Sequence, residues 1–295
     1  MSVKKILKKL ILQRWNIGFT ETSVEDIVDG KPIRYRWMQH SYKNRWFADP
    51  FLLDVTEDEY VVLAEDFEDE RGYAVISKLV IDRKTMILKE VKQLLDRGTH
   101  LSFPIIIRKD GDIYVHPENS ASGELNLYKY DERKDELIFD KTMMREPLTD
   151  AVTLDYGEKK WMFATTLPNP NGNELLVYQL EEEGYTKKDS VWMEGRKARM
   201  GGDFFWCKGK LYRPAQDNSR CYGGALILQE ASLKNDEWNF VDVRTLTSPH
   251  AEYTTGLHTF NMYKGSIVVD VHGYRKHPWL SALITNCFNL FRIRR

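Results

Sequence analysis

Cysteine is scarce in this chain: Cys207, Cys221 and Cys287 are the three it has, an odd number with no CxxC spacing. That argues against a disulfide framework or a zinc site and fits a reducing compartment, so a cytoplasmic protein is expected. An excess of one charge is also missing. Lys+Arg number 43 against Asp+Glu 44, a formal net charge of -1, so the chain lacks the basic excess of a nucleic-acid binder and no nucleic-acid partner is expected. No apolar run is long enough to span a bilayer. The first residues alternate cations with apolar side chains, which is not the pattern of a secretory signal peptide. Helical periodicity is scarce between the two ends. With 42% hydrophobic and 12% aromatic content over 295 residues, the chain can still bury a large core, and all-β folds of this size commonly form one domain.

The two ends read differently. Val3, Ile6, Leu7, Leu10 and Ile11 fall on one helical face while Lys4, Lys5, Lys8 and Lys9 occupy the other, the pattern of a basic amphipathic helix. Leu280, Leu283, Ile284, Cys287, Phe288 and Phe291 repeat that spacing after Pro278, ahead of Arg292, Arg294 and Arg295. Both segments suit the surface of an anionic membrane, where apolar burial and cation attraction add; packing on each other or on the domain is the plain alternative. The expected organisation is a helix and lead-in over 1–29, one domain over 30–275 and a second helix over 276–295.

Between the ends the chain reads as short strands, Phe51 to Asp54, Tyr60 to Glu65, Tyr73 to Ile81, Ile105 to Arg108, Asp112 to His116 and onward. Polar tight turns recur at Lys109-Asp110-Gly111-Asp112, Tyr156-Gly157-Glu158-Lys159, Cys207-Lys208-Gly209-Lys210 and Tyr263-Lys264-Gly265-Ser266, each marking a hairpin. The segments ahead of the first hairpins, Trp46–Pro50, His100–Pro104, Thr149–Val152, Gly201–Phe204 and Gly256–Thr259, lie about 50 residues apart, the period of propeller blades with long loops. The fold class that follows is all-β, a five-bladed β-propeller with short amphipathic helices at both termini. Such a ring is usually closed by an N-terminal strand joining the last blade, and Pro32 to Trp37 is the expected donor. The innermost strands line a shared axial pocket, so Asp49, His100, Asp150, Arg199 and His258, carried in or just before these segments, are expected to meet there. A satisfied turn or core polar group is the alternative for any one of them.

These residues carry a family likeness. Trp46-Phe47-Ala48-Asp49-Pro50-Phe51, His100 to Pro104, Pro117-Glu118-Asn119-Ser120, Arg213-Pro214-Ala215-Gln216-Asp217 with Tyr222-Gly223, and Gly256-Leu257-His258-Thr259 resemble the N-terminal domain of glucosamine inositolphosphorylceramide transferase over roughly residues 30 to 275. That family in turn looks like the five-bladed glycosidases of the arabinanase and β-xylosidase type. The resemblance implies that Asp49 supplies the base and that Asp150 tunes the acid. It also implies a glutamate at the opening of the fourth blade, where this chain has Lys197-Ala198-Arg199-Met200 instead. Hydrolysis needs one protonated carboxyl and one carboxylate. Glu118 is the candidate substitute acid, its proton affinity raised by burial and by neighbouring charge.

The site expected from the sequence is therefore Asp49, Asp150 and Glu118 for chemistry, with Glu65, His100, Arg199, Arg213, Gln216, Asp217, Tyr222 and His258 holding substrate. Guanidinium groups bind carboxylate or phosphate, and Gln or Asp binds sugar hydroxyls, so a sugar, in acidic or phosphorylated form if both arginines face it, is the expected partner. An internal ion pair is the alternative for Arg213 and Asp217. Trp46, Phe103, Trp206 and Tyr222 can stack on a sugar ring or fill interblade core. No cofactor and no metal set is expected, although His258 leaves an axial divalent cation open; a lone histidine is not a metal site. The function expected is a carbohydrate-active, glycosidase-like propeller of glycan or glycolipid assembly, with a non-catalytic sugar-binding propeller as the alternative.

Overall fold

The structure, a computed structural model, describes residues 13–274. The two amphipathic helices expected at the termini lie outside the described residues. What is described is five four-stranded antiparallel sheets arranged as blades. The first blade is β3 (Arg45–Val55), β4 (Glu59–Glu68), β5 (Ala74–Asp82) and β6 (Leu88–Leu95). The second is β7 (Ser102–Lys109), β8 (Asp112–Glu118), β9 (Leu125–Asp131) and β10 (Glu136–Met144). The third runs β11 (Leu148–Tyr156), β12 (Lys159–Thr166), β13 (Glu174–Glu181) and β14 (Gly184–Trp192); the fourth runs β15 (Phe205–Cys207), β16 (Lys210–Asp217), β17 (Ala225–Lys234) and β18 (Glu237–Leu246).

Local sequence explains the hairpins. Asp110-Gly111, Lys208-Gly209 and Lys264-Gly265 all take positive φ, from 47° to 84°, the geometry of a two-residue turn whose twist matches that of the flanking strands. Burial falls from the axis outward. Asp49 through Leu53 of β3 are buried in succession, whereas β14 is exposed along most of its length. Apolar side chains on the faces between blades form the core, with Phe51, Leu63, Phe103, Val152, Phe163, Trp161 and Trp238 in its largest cluster.

The fifth blade is built from both ends of the described chain: β19 (Phe260–Tyr263), β20 (Ser266–Tyr274), β1 (Gln13–Thr20) and β2 (Arg36–Trp37), in that order. The donor expected at Pro32 to Trp37 contributes the two residues of the outermost strand, pairing Trp37 with Gly18 and Arg36 with Phe19. The larger donor is β1, paired with β20 from Gln13 opposite Tyr274 to Thr20 opposite Ile267, so the propeller's strands start at Gln13 rather than near residue 30. Its signal was the alternation Trp15, Ile17, Phe19, all buried, a period of two that adjoins the helical pattern of the preceding residues. A short helix α1 (Val24–Val28), capped by the Ser23 side chain accepting from the Asp26 N–H, connects β1 to β2 and buries Val24 and Ile27.

Candidate active site at the propeller axis

All five innermost strands start at the same end of the ring, and in the first three blades the start is bulged at the same place. Pairing skips between Ala48 and Phe51, between Ser102 and Ile105, and between Thr149 and Val152. The residue inside each skip takes positive φ: Asp49 at 47°, Phe103 at 46°, Asp150 at 45°. That conformation is costly for a residue with a side chain, and bulges re-aim side chains. Two of the bulges are held by carboxylates: the Asp49 N–H donates to Asp270 at 3.0 Å and the Asp150 N–H to Glu118 at 3.3 Å. In the fourth blade Gly201-Gly202 takes this place, because a Cβ on Gly202 would stand 2.1 Å from the Phe260 carbonyl oxygen. The chain therefore hugs the fifth blade there, and Arg199 reaches the axis.

Arg199 organises one half of the site. Its Nε and Nη2 grip Asp150 at 2.6 and 2.9 Å, Nη2 also reaches Glu118 at 3.0 Å, and Nη1 donates to the Asn171 side chain at 3.0 Å. Gln216 Nε2 adds a bond to Asp150 at 2.7 Å. Burial alone would raise Asp150, but the guanidinium and the contact with Glu118 outweigh it and hold this carboxyl below the usual carboxylate range. Burial is the larger influence on Glu118: with Asp150 beside it and Arg199 opposing, its pKa is pushed up to about 8. One guanidinium thus stands between an ionised carboxylate and a proton-bearing one.

The other half is built on Asp270 and His258. The Asp270 carboxylate accepts from the His258 and Thr259 N–H groups at 3.2 and 3.0 Å and lies 2.8 Å from His258 Nδ1. Burial opposes its ionisation, and these donors hold it low regardless. His258 Nε2 faces the Tyr222 hydroxyl at 3.3 Å and Asp49 Oδ1 at 3.6 Å. Burial, with Glu65, Asp150 and Asp270 as like-charged neighbours, pushes Asp49 well above the usual carboxylate range. Behind them Trp15 of the closing strand stacks on His258 at 4.1 Å and lies 4.3 Å from the His272 ring. Asp49, His258 and Asp270 each offer one ligand atom within 4.8 Å of the others, a donor set of one imidazole and two carboxylates that can hold a divalent cation. The sequence reading missed Asp270, Trp15 and Asn171. An acid in the apolar run Ile267-Val268-Val269-Asp270-Val271 was the available signal for the first.

His100 and Glu65 form the rim, with His100 Nε2 3.1 Å from Glu65 Oε1 and the His100 side chain 44% exposed. Burial would lower His100, but Glu65 outweighs it and raises its pKa. Trp46 stacks on Phe67 at 4.8 Å nearby. Asp49, Glu65, His100, Glu118, Asp150, Arg199, Gln216, Tyr222 and His258 are thus linked by these contacts at one end of the axis. Arg213 and Asp217 are not among them, because strand alternation turns both away from the face that carries Gln216. Arg213 is wholly buried and donates to Gln229 at 2.6 Å, to the Met200 and Met193 sulfurs and to the Ala198 carbonyl. Asp217 accepts from the Ser219 N–H at 2.9 Å, and the ion pair that was the alternative for these two residues does not form. Phe103 is core, edge-on to Phe51 at 5.1 Å. Trp206, in the middle of its three-residue strand, is 58% exposed beside Tyr156.

A five-bladed ring with carboxyl groups gathered where its innermost strands begin has the fold of the glycosidase propellers. It superposes on the exo-β-1,3-galactanase of Phanerochaete chrysosporium over 72% of this chain and 55% of that one, with a TM-score of 0.52 at 10% identity. On a GH43_1 enzyme from Xanthomonas citri the match covers 94% of each chain, with a TM-score of 0.52 at 9% identity. At that identity the likeness is one of fold. Within that class the chain belongs to the family described as glucosamine inositolphosphorylceramide transferase 1, N-terminal, whose profile matches residues 36–283. It is 30% identical over 161 residues to the glucosamine inositolphosphorylceramide transferase 1 of Oryza sativa subsp. indica and 29% over 159 residues to that of Arabidopsis thaliana. Each match takes in 50% of this chain and 21% of the relative, so the chain corresponds to a fraction of those proteins' length.

Proposed function

We propose that this propeller acts on a glycosidic bond in the assembly of a glycan or glycolipid, with Glu118 as the acid, Asp49 as its partner carboxyl and Asp150 as the group that tunes the acid. The observation that carries the reading is the split between two adjacent buried carboxyls, burial leaving Glu118 proton-bearing while Arg199 holds Asp150 ionised beside it. Glycosidic chemistry needs a carboxyl that gives a proton to the leaving oxygen and a second carboxyl that assists attack. Asp49 Oδ1 and Gln216 Oε1 are buried acceptors that receive no hydrogen bond among the described residues, and sugar hydroxyls supply donors for such atoms. The nitrogens of Arg199 are committed to protein acceptors and Arg213 is internal, which favours a neutral or amino-bearing sugar over a phosphorylated one. The names of the plant relatives, which pair glucosamine with a sphingolipid acceptor, agree with a glycolipid setting.

Arg199 in the place of the glycosidases' glutamate favours a second reading, a propeller that binds a glycan and presents it to a partner enzyme. Asp49→Asn and Glu118→Gln separate the two, because each keeps shape and removes proton transfer. Assayed against nucleotide sugars and lipid-linked glycans, either variant is expected to lose turnover about 10²–10⁴-fold while sugar binding persists; unchanged turnover in both refutes the assignment. We further propose a cytoplasmic setting against an anionic membrane, carried by the basic terminal segments. Flotation with anionic liposomes is expected to fall on removal of residues 1–12, which leaves β1 whole, and equal partition of both forms into the soluble fraction overturns this.

A further inference from the structure

The loop between β16 and β17 brings Tyr222 to the axial site. Asn218, fully buried, pins that loop by accepting the Gly223 N–H at 2.8 Å, and the Gly223 carbonyl lies 3.1 Å from His272 Nε2. Gly223 takes a φ of 61°, and a Cβ there would stand 3.0 Å from the His258 ring, so glycine is what lets the loop lie this close. The Tyr222 ring is thereby set edge-on to His258 at 5.4 Å and to Trp15 at 6.2 Å. The Arg199 guanidinium, which also reaches Glu118, stands 5.4 Å from the centre of that ring. One guanidinium therefore has the phenol and the acid as neighbours.

The hydrogen bonds around Asp270 fix the tautomer of His258. The Asp270 oxygens accept from the Asp49, His258 and Thr259 N–H groups at 3.0, 3.2 and 3.0 Å, the surroundings of a carboxylate, which can only accept. In the neutral imidazole Nδ1, 2.8 Å away, is therefore the nitrogen that carries hydrogen, and Nε2 keeps its lone pair. The Tyr222 hydroxyl at 3.3 Å is then the donor to Nε2. Hydroxyl, imidazole and carboxylate stand in the order of a nucleophile, its base and the group that orients the base. Asp49, His258 and Asp270 are buried, whereas Tyr222 is partly open, so the phenol is the member of this set that meets an entering ligand. Burial pushes its pKa well above the usual tyrosine value, so the oxygen attacks only as a base removes its proton.

We propose that Tyr222, His258 and Asp270 form a nucleophilic triad and that the glycosidic reaction runs through a glycosyl–tyrosine intermediate, a proposal that rests on the reading of the axial site as glycosidic with Glu118 as its acid. In the first step Tyr222 Oη attacks the anomeric carbon as its proton passes to His258 Nε2. The bond from that carbon to the leaving oxygen breaks, and Glu118 gives the leaving oxygen its proton. In the second step an acceptor hydroxyl attacks the same carbon and gives its proton to the Glu118 carboxylate, while the tyrosyl oxygen departs and recovers its proton from His258. Asp49 Oδ1, 3.6 Å from Nε2, faces the imidazolium between the two steps. Two displacements return the sugar to its starting anomeric configuration.

The first arm of the test needs no sugar. N-acetylimidazole is added to the full chain with EDTA present, so that no cation takes the Nε2 lone pair, and acetylation is followed residue by residue by peptide mass spectrometry. Tyr42, 43% exposed on the segment ahead of β3, is the internal reference. Tyr222, though the less exposed of the two, is expected to react about 10²-fold faster than Tyr42, and His258→Gln is expected to bring it down to the reference rate or below. Labelling of Tyr222 no faster than that of Tyr42 in the wild type overturns the triad, as does an unchanged Tyr222 rate in a folded His258→Gln. In the second arm Tyr222→Phe, which removes a single hydroxyl, is expected to lower turnover of nucleotide sugars or lipid-linked glycans about 10²–10⁴-fold, and full turnover in that variant overturns the intermediate. A wild-type chain that labels rapidly at Tyr222 yet turns over none of these substrates sinks the glycosidic reading, and the intermediate with it, while the activated phenol stands.

Discussion

Glu118 and Asp150 share one guanidinium, yet they divide the charge unequally, and the reason is geometric. Asp150 receives two parallel bonds from Arg199 and a third from Gln216, whereas Glu118 receives a single bond at 3.0 Å from Arg199. Bidentate charge-assisted bonds favour the ionised partner, so the proton goes to Glu118. Its pKa is raised from 4.5 to about 8, which means the native chain binds this proton more tightly than the unfolded one. The stabilisation is full below pH 4.5 and is lost as pH rises toward about 8. Glu118→Gln removes the dependence while keeping an acceptor for Arg199. Its urea midpoint, relative to wild type, is therefore expected to climb across that window and level off above it. A difference that stays flat from pH 4.5 to 9 would mean that Glu118 carries no proton in the native state.

At the scale of elements, what the sequence disclosed and what it hid follow one rule. Asp49, His100, Asp150 and His258 were legible because each opens an innermost strand, and the two-residue turn that ends such a strand is a local signal that sets the phase. Arg199 and Arg213 look alike in sequence, but one lies in an irregular stretch let through by Gly201-Gly202 and the other lies within β16. One becomes the hub of the site and the other a brace inside the fourth blade. That difference depends on strand alternation over a register that sequence does not fix. Asp270 and Trp15 were missed for a related reason. They arrive from the second and third strands of the last blade, and their partners lie far away along the chain, as with Asp49 and Asp270 or Trp15 and His258. Bulges are hidden in the same way, since nothing in Ala48-Asp49-Pro50 alone shows that pairing skips there.

The whole ring depends on the seam between its last and first blades, and the candidate site is built across that seam. Asp270 ties β20 to the Asp49 bulge at 3.0 Å, the Asn261 side chain donates to the Pro50 carbonyl at 2.9 Å, and Arg14 of β1 grips Asp69 at 2.8 and 2.5 Å. β1 supplies Trp15, Ile17 and Phe19 to the core, each less than 5% exposed. Burying such side chains contributes about 1.5–3 kcal/mol apiece, and a domain of this kind has a net stability of only about 5–15 kcal/mol. Removing β1 therefore forfeits most of the margin and uncovers one edge of β20. A chain lacking residues 1–12 is expected to keep the near-ultraviolet circular dichroism and the cooperative thermal transition of the full chain. A chain lacking residues 1–20 is expected to lose both, together with binding at the axial site, and to regain them when a peptide of the Gln13–Thr20 sequence is added. If the shorter chain melts cooperatively at the temperature of the longer one, β1 does not close the ring, and the shared seam cannot be what holds Asp49, His258 and Asp270 in one place.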